Sequence, residues 1–111
     1  MGLVNLNPSN VAVNIAEDTR NPDTVTAVSA GATVTVALAA NANRAGYSIY
    51  NAGSVTVFVR ENATVSATVY KHPIPPGYLF ESESSSRYTG IISVITASGS
   101  SNLMVSESTV A

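Results

Sequence analysis

The chain lacks cysteine and tryptophan, and it has one lysine and one histidine among its 111 residues. Without cysteine it can form neither a disulfide nor a thiolate metal site. Charged residues make up 11% of the chain, against about 25% in an average globular domain. Five basic residues in a chain of net charge -2 cannot neutralise many phosphates. The sequence therefore predicts no nucleic-acid partner.

Long apolar runs are also missing. The longest uncharged stretch, residues 24–43, is interrupted by eight Gly, Ser, Thr and Asn residues and is too polar for a membrane-spanning helix. The first ten residues show neither the basic region nor the apolar region of a secretory signal. We therefore expect no targeting segment and no membrane partner.

The residues that are abundant favour β-structure. Val occurs 15 times and Leu five times, and Asn, Ser and Thr together number 36; Val and Thr favour strands, while good helix formers are few. After residue 23, alternating runs are separated by turn signals every 8–12 residues or so, which is typical of an antiparallel sandwich, a jelly roll or a small barrel. The predicted strands are Thr24–Ala30, Thr33–Ala39, Ala45–Asn51, Ser54–Arg60, Val65–Lys71, Tyr78–Glu83, Gly90–Ala97 and Leu103–Glu107. We predict an all-β, antiparallel β-sandwich of jelly-roll type, with about eight short strands and an extended N-terminal arm.

Alternation within these runs also predicts the core, because every second residue of a strand faces the same side. The predicted core residues are Val34, Val36, Leu38, Ile49, Val55, Val57, Val59, Ile92, Val94, Leu103 and Val105. Between two of the runs, Asn51-Ala52-Gly53 predicts a tight turn, since Asn and Gly tolerate positive φ.

Residue types that carry catalysis are sparse. His72 lies between Lys71 and Pro73 and is expected at the surface, at a strand end. Glu81 and Glu83 alternate on one strand and are expected at a solvated edge. No cluster of His, Cys, Asp and Glu has metal-ligand spacing. We therefore predict no catalytic, cofactor-binding or metal-binding residues, and an enzyme is the least favoured class.

The first 22 residues differ from the rest of the chain, with five Asn residues, Pro8 and Pro22. We predict an N-terminal arm, residues 1–22, followed by a β-sandwich domain, residues 23–111. The arm has six apolar residues, too many to leave in water, that we expect to pack on another subunit: Leu3, Val4, Leu6, Val11, Val13 and Ile15. A homodimer is the expected form of a self-contact, because one patch then serves both chains. A loosely ordered terminus and a first strand of the home domain remain alternatives.

Arg44 and Glu107 form the one predicted structural pair. Arg44 enters one predicted strand and Glu107 lies near the end of the last one. In a sandwich such strand ends can meet, and a bidentate ion pair would fix the register of the strands. The expected role is structural and not catalytic.

Residues 40–107 or so resemble a known family of proteins. The resemblance is carried by the run NANRAGYSIYNAGSVTVFV from Asn41, followed by IPPGY from Ile74, YTGIISVI from Tyr88 and LMVSE from Leu103. These residues resemble small structural proteins of tailed double-stranded DNA phages. The size and the arm are similar to the capsid decoration, or staple, proteins of short-tailed phages that infect enteric bacteria.

This resemblance implies a β-sandwich virion component on the outer capsid surface, with no catalytic residues to carry over. Its partner would be the major capsid protein, whose subunits it would clamp. A carbohydrate-binding or host-recognition module of the virion is the first alternative, and a tail or connector component is the second. A glycan is the less favoured partner, because sugar-binding sandwiches usually present an aromatic platform and this chain has no Trp.

Overall fold

The computed structural model describes residues 19–111, which form eight β-strands and no helix in that range. The all-β prediction is confirmed. The strands are β1 (Thr24–Ala30), β2 (Thr35–Leu38), β3 (Arg44–Asn51), β4 (Val57–Arg60), β5 (His72–Ile74), β6 (Leu79–Glu81), β7 (Ile92–Thr96) and β8 (Ser101–Thr109).

The strands pair as one long antiparallel ribbon that is rolled into two sheets. In the ribbon, β1 pairs with β8, β2 with β7, β3 with β6, and β4 with β5. Two further antiparallel pairings, β3 with β8 and β4 with β7, complete the sheets. The first sheet has the order β1-β8-β3-β6 and the second has the order β2-β7-β4-β5. This nested and rolled pairing is that of a jelly roll, a sandwich of two antiparallel sheets.

The core lies between the inner faces of the two sheets. Its fully buried side chains include seven of the residues predicted from alternation: Ile49, Val57, Val59, Ile92, Val94, Leu103 and Val105. All seven lie on β3, β4, β7 and β8, the four strands that have a paired neighbour on both sides. The choice of the Val57 and Val59 side of β4 as the inner face is therefore confirmed.

The prediction that Val34 and Val36 belong to the core is wrong. Their exposed fractions are 46% and 51%, and Leu38 is half-buried. The pairing of β2 with β7 shifts between Val36 and Leu38, so that Val36 lies opposite Ser93 and faces outward while Leu38 lies opposite Ile92. A bulge adds one residue and breaks the alternation on which the prediction rested. In addition, Val55 precedes β4 and is only half-buried.

The predicted strand Val65–Lys71 is not formed. The Ser66 hydroxyl accepts a hydrogen bond from the Val69 amide at 2.9 Å, and the backbones of the same two residues are also bonded to each other. This local turn replaces strand pairing. The next strand, β5, begins at His72 and includes Pro73. Proline is tolerated there because β5 is an edge strand of the second sheet.

Candidate interaction surface

The outer face of the first sheet carries apolar side chains that cross all four strands in register. Ala27 of β1 lies opposite Met104 of β8, Met104 lies opposite Tyr50 of β3, and Tyr50 lies opposite Leu79 of β6. These residues face away from the core because the neighbouring Leu103 faces into it. The exposed fractions are 42% for Met104, 41% for Tyr50 and 55% for Leu79. We call Ala27, Met104, Tyr50 and Leu79 the apolar row.

The same face becomes polar toward the C-terminal end of β8. Ser106 lies opposite Ser48, and Glu81 lies opposite Ser48 on the sheet edge. Beyond them, a groove of about 380 Å³ opens over Gly46. A Cβ atom on Gly46 would lie 3.0 Å from Arg20 Nη1, so the absence of a side chain makes room for the Arg20 guanidinium on the face. The apolar row is thus bordered on one side by a polar groove that Arg20 crosses.

The outer face of the second sheet is partly covered by the chain itself. Phe58 lies opposite both Ile95 and Pro73, and the Tyr70 ring packs on Phe58 with a centroid distance of 4.6 Å. Phe58 and Ile95 are half-buried as a result. The apolar row of the first sheet has no such cover among the described residues. Aligned apolar side chains of this kind typically mark an interaction surface, so we take the apolar row as the candidate site.

The described part of the chain begins beside the end of β8. The Ala111 amide donates to the Thr19 carbonyl at 3.2 Å, and Arg20 pairs with Val110 in antiparallel fashion. The last residues of the predicted arm, residues 1–22, are therefore tied to the C-terminal end of the described chain. The six apolar residues predicted to bind a partner lie outside the described residues: Leu3, Val4, Leu6, Val11, Val13 and Ile15.

The structure brings the predicted pair Arg44 and Glu107 together. Arg44 is 1% exposed, and its Nε lies 2.7 Å from Glu107 Oε2. The contact uses one nitrogen and is not the expected bidentate pair, because the rest of the guanidinium donates to backbone carbonyls. Nη1 donates to the Tyr88 and Gly90 carbonyls at 3.1 and 2.8 Å, and Nη2 donates to the Ala39 carbonyl. Arg44 therefore joins two loop segments to the first sheet.

Tyr47 lies beside Arg44 and closes this end of the core. Its hydroxyl donates to Glu61 Oε2 at 2.7 Å, and the Arg44 guanidinium lies 5.8 Å from its ring centroid. Lys71 is 3.7 Å from the same Glu61 carboxylate. Burial raises the pKa of Tyr47 far above its ordinary value, and the hydrogen bond to Glu61 raises it further. Tyr47 therefore stays neutral in the folded protein.

We expect the free energy of unfolding to fall more steeply above pH 10 in the wild type than in Tyr47→Phe. The pKa of Tyr47 is raised in the folded state, so above the unfolded-state pKa of about 10 unfolding releases a proton. Stability from this group is present in full below that pH and decreases by up to about 1.4 kcal/mol per pH unit above it. Urea unfolding at a series of pH values from 8 to 11.5 or so measures this slope. Equal slopes for the two proteins would contradict the assignment.

The described residues include few side chains of the types that carry out catalysis or bind metals. No group of three His, Cys, Asp or Glu side chains in that part could hold a metal ion. His72 is exposed at the start of β5, with its ring centroid 5.2 Å from that of Phe80. Glu81 is exposed on β6, while Glu83 lies beyond that strand, 3.5 Å from Lys71. The described residues also contain no helix that could cross a membrane.

The apolar row was not predicted from the sequence, although the outward orientation of two of its members could have been derived. Leu103 and Val105 were assigned to the core, and alternation then requires Met104 between them to face outward. The exposed Tyr50 could be derived in the same way from the buried Ile49. Which residues of the other strands lie beside them depends on pairing between distant segments.

Among known proteins, a distant similarity to one solved structure is found. No protein-family model matches the chain, and no curated protein matches it. A solved chain from Bacillus endospore appendages, a family of disulfide-linked pili, is similar with a TM-score of 0.49 and 13% identity, over 86% of this chain and 91% of that chain.

Proposed function

We propose that the protein is a non-enzymatic structural subunit that acts by packing on other protein subunits. Its proposed setting is the outer capsid surface of a short-tailed double-stranded DNA phage, where it clamps major capsid subunits. The observation that carries the proposal is the apolar row, whose side chains lie in register across the first sheet and are exposed to solvent. A face of this kind is better suited to a protein partner than to water.

Charge and fold are compatible with this function. A chain with 11% charged residues suits a broad, weakly charged contact, since charged residues are depleted at the centre of protein interfaces. Jelly rolls occur in viral capsid domains and also in lectins, so the fold alone does not choose between the two. The resemblance of residues 40–107 to phage structural proteins favours the capsid. Repeated identical sites on a capsid would strengthen weak individual contacts.

Binding to capsids tests the proposal directly. The purified full chain is mixed with undecorated capsids of short-tailed enteric phages, and the bound fraction is measured by co-sedimentation. We expect the wild type to bind and to raise the unfolding temperature of the capsids. Met104→Glu puts a charge in the centre of the apolar row and should lower the affinity at least tenfold or so, because that charge would be buried on binding.

The matched control is Ala63→Glu. It adds the same charge in the exposed bend that follows β4 of the second sheet. It should bind as the wild type does. Capsid binding that is unaffected by Met104→Glu would rule out the apolar row as the binding surface. If the wild type binds no capsid at all, the capsid setting is wrong; selective binding to tails or connectors would favour that alternative.

A carbohydrate-binding module is the second candidate, and the polar groove is the observation that favours it. Ser48, Ser82 and Ser106 line the groove together with Glu81, and the exposed Tyr50 ring lies two residues along β3 from Ser48. Hydroxyl and carboxylate groups beside an exposed ring can hydrogen-bond to and stack on a sugar. A glycan-array screen distinguishes this function: specific binding that is lost in Ser48→Trp would favour it over the capsid contact.

A further inference from the structure

The apolar row has a definite size and chemistry that limit what can cover it. It crosses four strands, so its outer members are separated by three strand spacings, or about 14 Å. The row itself is uncharged, and Glu81 lies in the neighbouring row at the sheet edge. An occupant should therefore be narrow, apolar and uncharged over a similar length.

The N-terminal part of this same chain has those properties. Residues 1–16 contain no charged side chain. Among them, Val11, Val13 and Ile15 occupy alternate positions, and in an extended peptide alternate side chains lie on one side. From Val11 to Ile15 such a peptide spans about 13 Å, which matches the width of the row.

The direction of the chain at Thr19 favours a neighbouring molecule over the chain's own face. Thr19 and Arg20 pair antiparallel with the end of the chain at Ala111 and Val110, so the backbone entering at Thr19 comes from beyond the end of β8. Met104 lies six residues back along β8, about 20 Å in the opposite direction. Residues before Thr19 would have to reverse their course to reach the row of their own domain, whereas a second copy placed beyond that end meets them directly.

We propose that the apolar row is the docking site for residues 1–16 of a second copy of this chain, with Val11, Val13 and Ile15 packed across Ala27, Met104, Tyr50 and Leu79. This proposal rests on the proposed function, in which the protein is a packing subunit, but it assigns the apolar row to a copy of the same chain and not to a capsid subunit. It does not require a capsid.

Because the chain contains no cysteine, an introduced cysteine is the only thiol that can react in a cross-linking test. Two full-length single-cysteine variants, Val13→Cys and Met104→Cys, are mixed under mild oxidation, with one of them labelled with nitrogen-15. Mass spectrometry then identifies the mixed disulfide dimer. We expect this dimer in at least tenfold excess over that formed by Val13→Cys with Ala63→Cys, in which the second cysteine is exposed but lies away from the row. No excess would overturn the proposal.

A double variant distinguishes docking between molecules from docking within one. Val13→Cys/Met104→Cys is oxidised at rising protein concentration. We expect the disulfide-linked dimer to increase with concentration, and an internal disulfide that forms equally well at all concentrations would overturn the proposal in favour of the chain's own face.

Sedimentation of the full chain gives a measurement that does not depend on cross-linking. Val13→Glu and Met104→Glu should each weaken self-association at least tenfold, while Ala63→Glu should not. A protein that remains monomeric at millimolar concentration yet binds capsids through the apolar row would overturn this inference and leave the proposed function standing. A protein that self-associates through the row but binds no capsid would overturn the capsid setting and leave this inference standing.

Discussion

Replacement of Arg44 by methionine is expected to lower the free energy of unfolding by about 3–5 kcal/mol, the usual cost of removing one partner from a buried ion pair. The Arg44 side chain is 1% exposed and donates to Glu107 and to the carbonyls of Ala39, Tyr88 and Gly90. Methionine replaces the apolar stem of arginine but donates no hydrogen bond, so four acceptors lose their partner while the packing of the stem is largely retained. Urea unfolding followed by circular dichroism measures the change.

A loss of this size is a large part of the 5–15 kcal/mol or so that stabilises a typical domain. The substitution of the other partner, Glu107→Gln, should cost clearly less. The Glu107 side chain is 20% exposed, and Arg44 would keep its three carbonyl partners. The difference between the two variants reports how much of the Arg44 contribution comes from backbone carbonyls and how much from the ion pair.

Arg60→Met is the matched control. Arg60 is also an arginine at the end of a strand, but it is half-buried, and among residues 19–111 it donates only to Thr64, at the protein surface. Its loss should change stability by no more than about 0.5 kcal/mol, as is usual for surface substitutions. If Arg44→Met were as mild as Arg60→Met, the four contacts would contribute nothing net and Arg44 would not hold the loops in place.

Alternation and turn signals predicted those elements in which the local pattern and the pairing agree. The first predicted strand, Thr24–Ala30, has the bounds of β1, and Ile92 and Val94 are buried on the inner face of β7 as expected. The proximity of Arg44 and Glu107 could be anticipated because both lie at strand ends. For the two strands, each segment held enough information to specify its own conformation, whereas the contact between Arg44 and Glu107 also depends on the pairing of β3 with β8.

The predictions failed where a single residue changed the local geometry. A bulge in β2 puts Val36 on the outer side while Leu38 lies opposite Ile92, and a turn at Ser66 replaces the strand expected at Val65–Lys71. Val34 lies before β2 and is exposed. Neither the bulge nor the turn interrupts the alternation of residues in the sequence, so the pattern predicted regular strands at both places. The apolar row was not predicted for a different reason. Its members come from four separated segments, and only the register between them places the side chains side by side.

The tight turn predicted at Asn51-Ala52-Gly53 is not formed: Asn51 ends β3, and the residues after it make a bend that leads to β4 in the other sheet. Positive φ among the described residues is confined to Gly77 and Gly99. Gly53 is needed because the chain passes close to β8: a Cβ atom there would lie 2.8 Å from Ser101 Cα. Asn51 is buried and not a turn-forming surface residue. Asparagine usually signals a turn, but Asn51 serves here as an internal hydrogen-bonding group. Its replacement should therefore have a large effect on stability.

Replacement of Asn51 by leucine is expected to lower the free energy of unfolding by about 3–5 kcal/mol, because it leaves several buried polar groups without a partner. The Asn51 amide nitrogen donates to the Val55 and Ile74 carbonyls, both at 2.8 Å. Its oxygen accepts from the Gly53 amide at 3.0 Å and from the Ser101 hydroxyl at 2.6 Å. These bonds connect β3 and β8 of the first sheet with β5 of the second, so their loss loosens the contact between the sheets.

Asn51→Asp gives the sharper test because it preserves the shape of the side chain and keeps both acceptor contacts. At pH 7 the carboxylate would face the Val55 and Ile74 carbonyls with no proton to donate, in a site that is 0% exposed. Burial favours the neutral acid, so the penalty should shrink as the pH falls toward about 4, where the acid regains one donor. Asn102→Asp, exposed on β8, makes the same change without burial and should show no such trend. An Asn51→Asp protein as stable as the wild type at pH 7 would mean that the two carbonyls do not need the Asn51 amide, and that the contact between the sheets does not depend on these two hydrogen bonds.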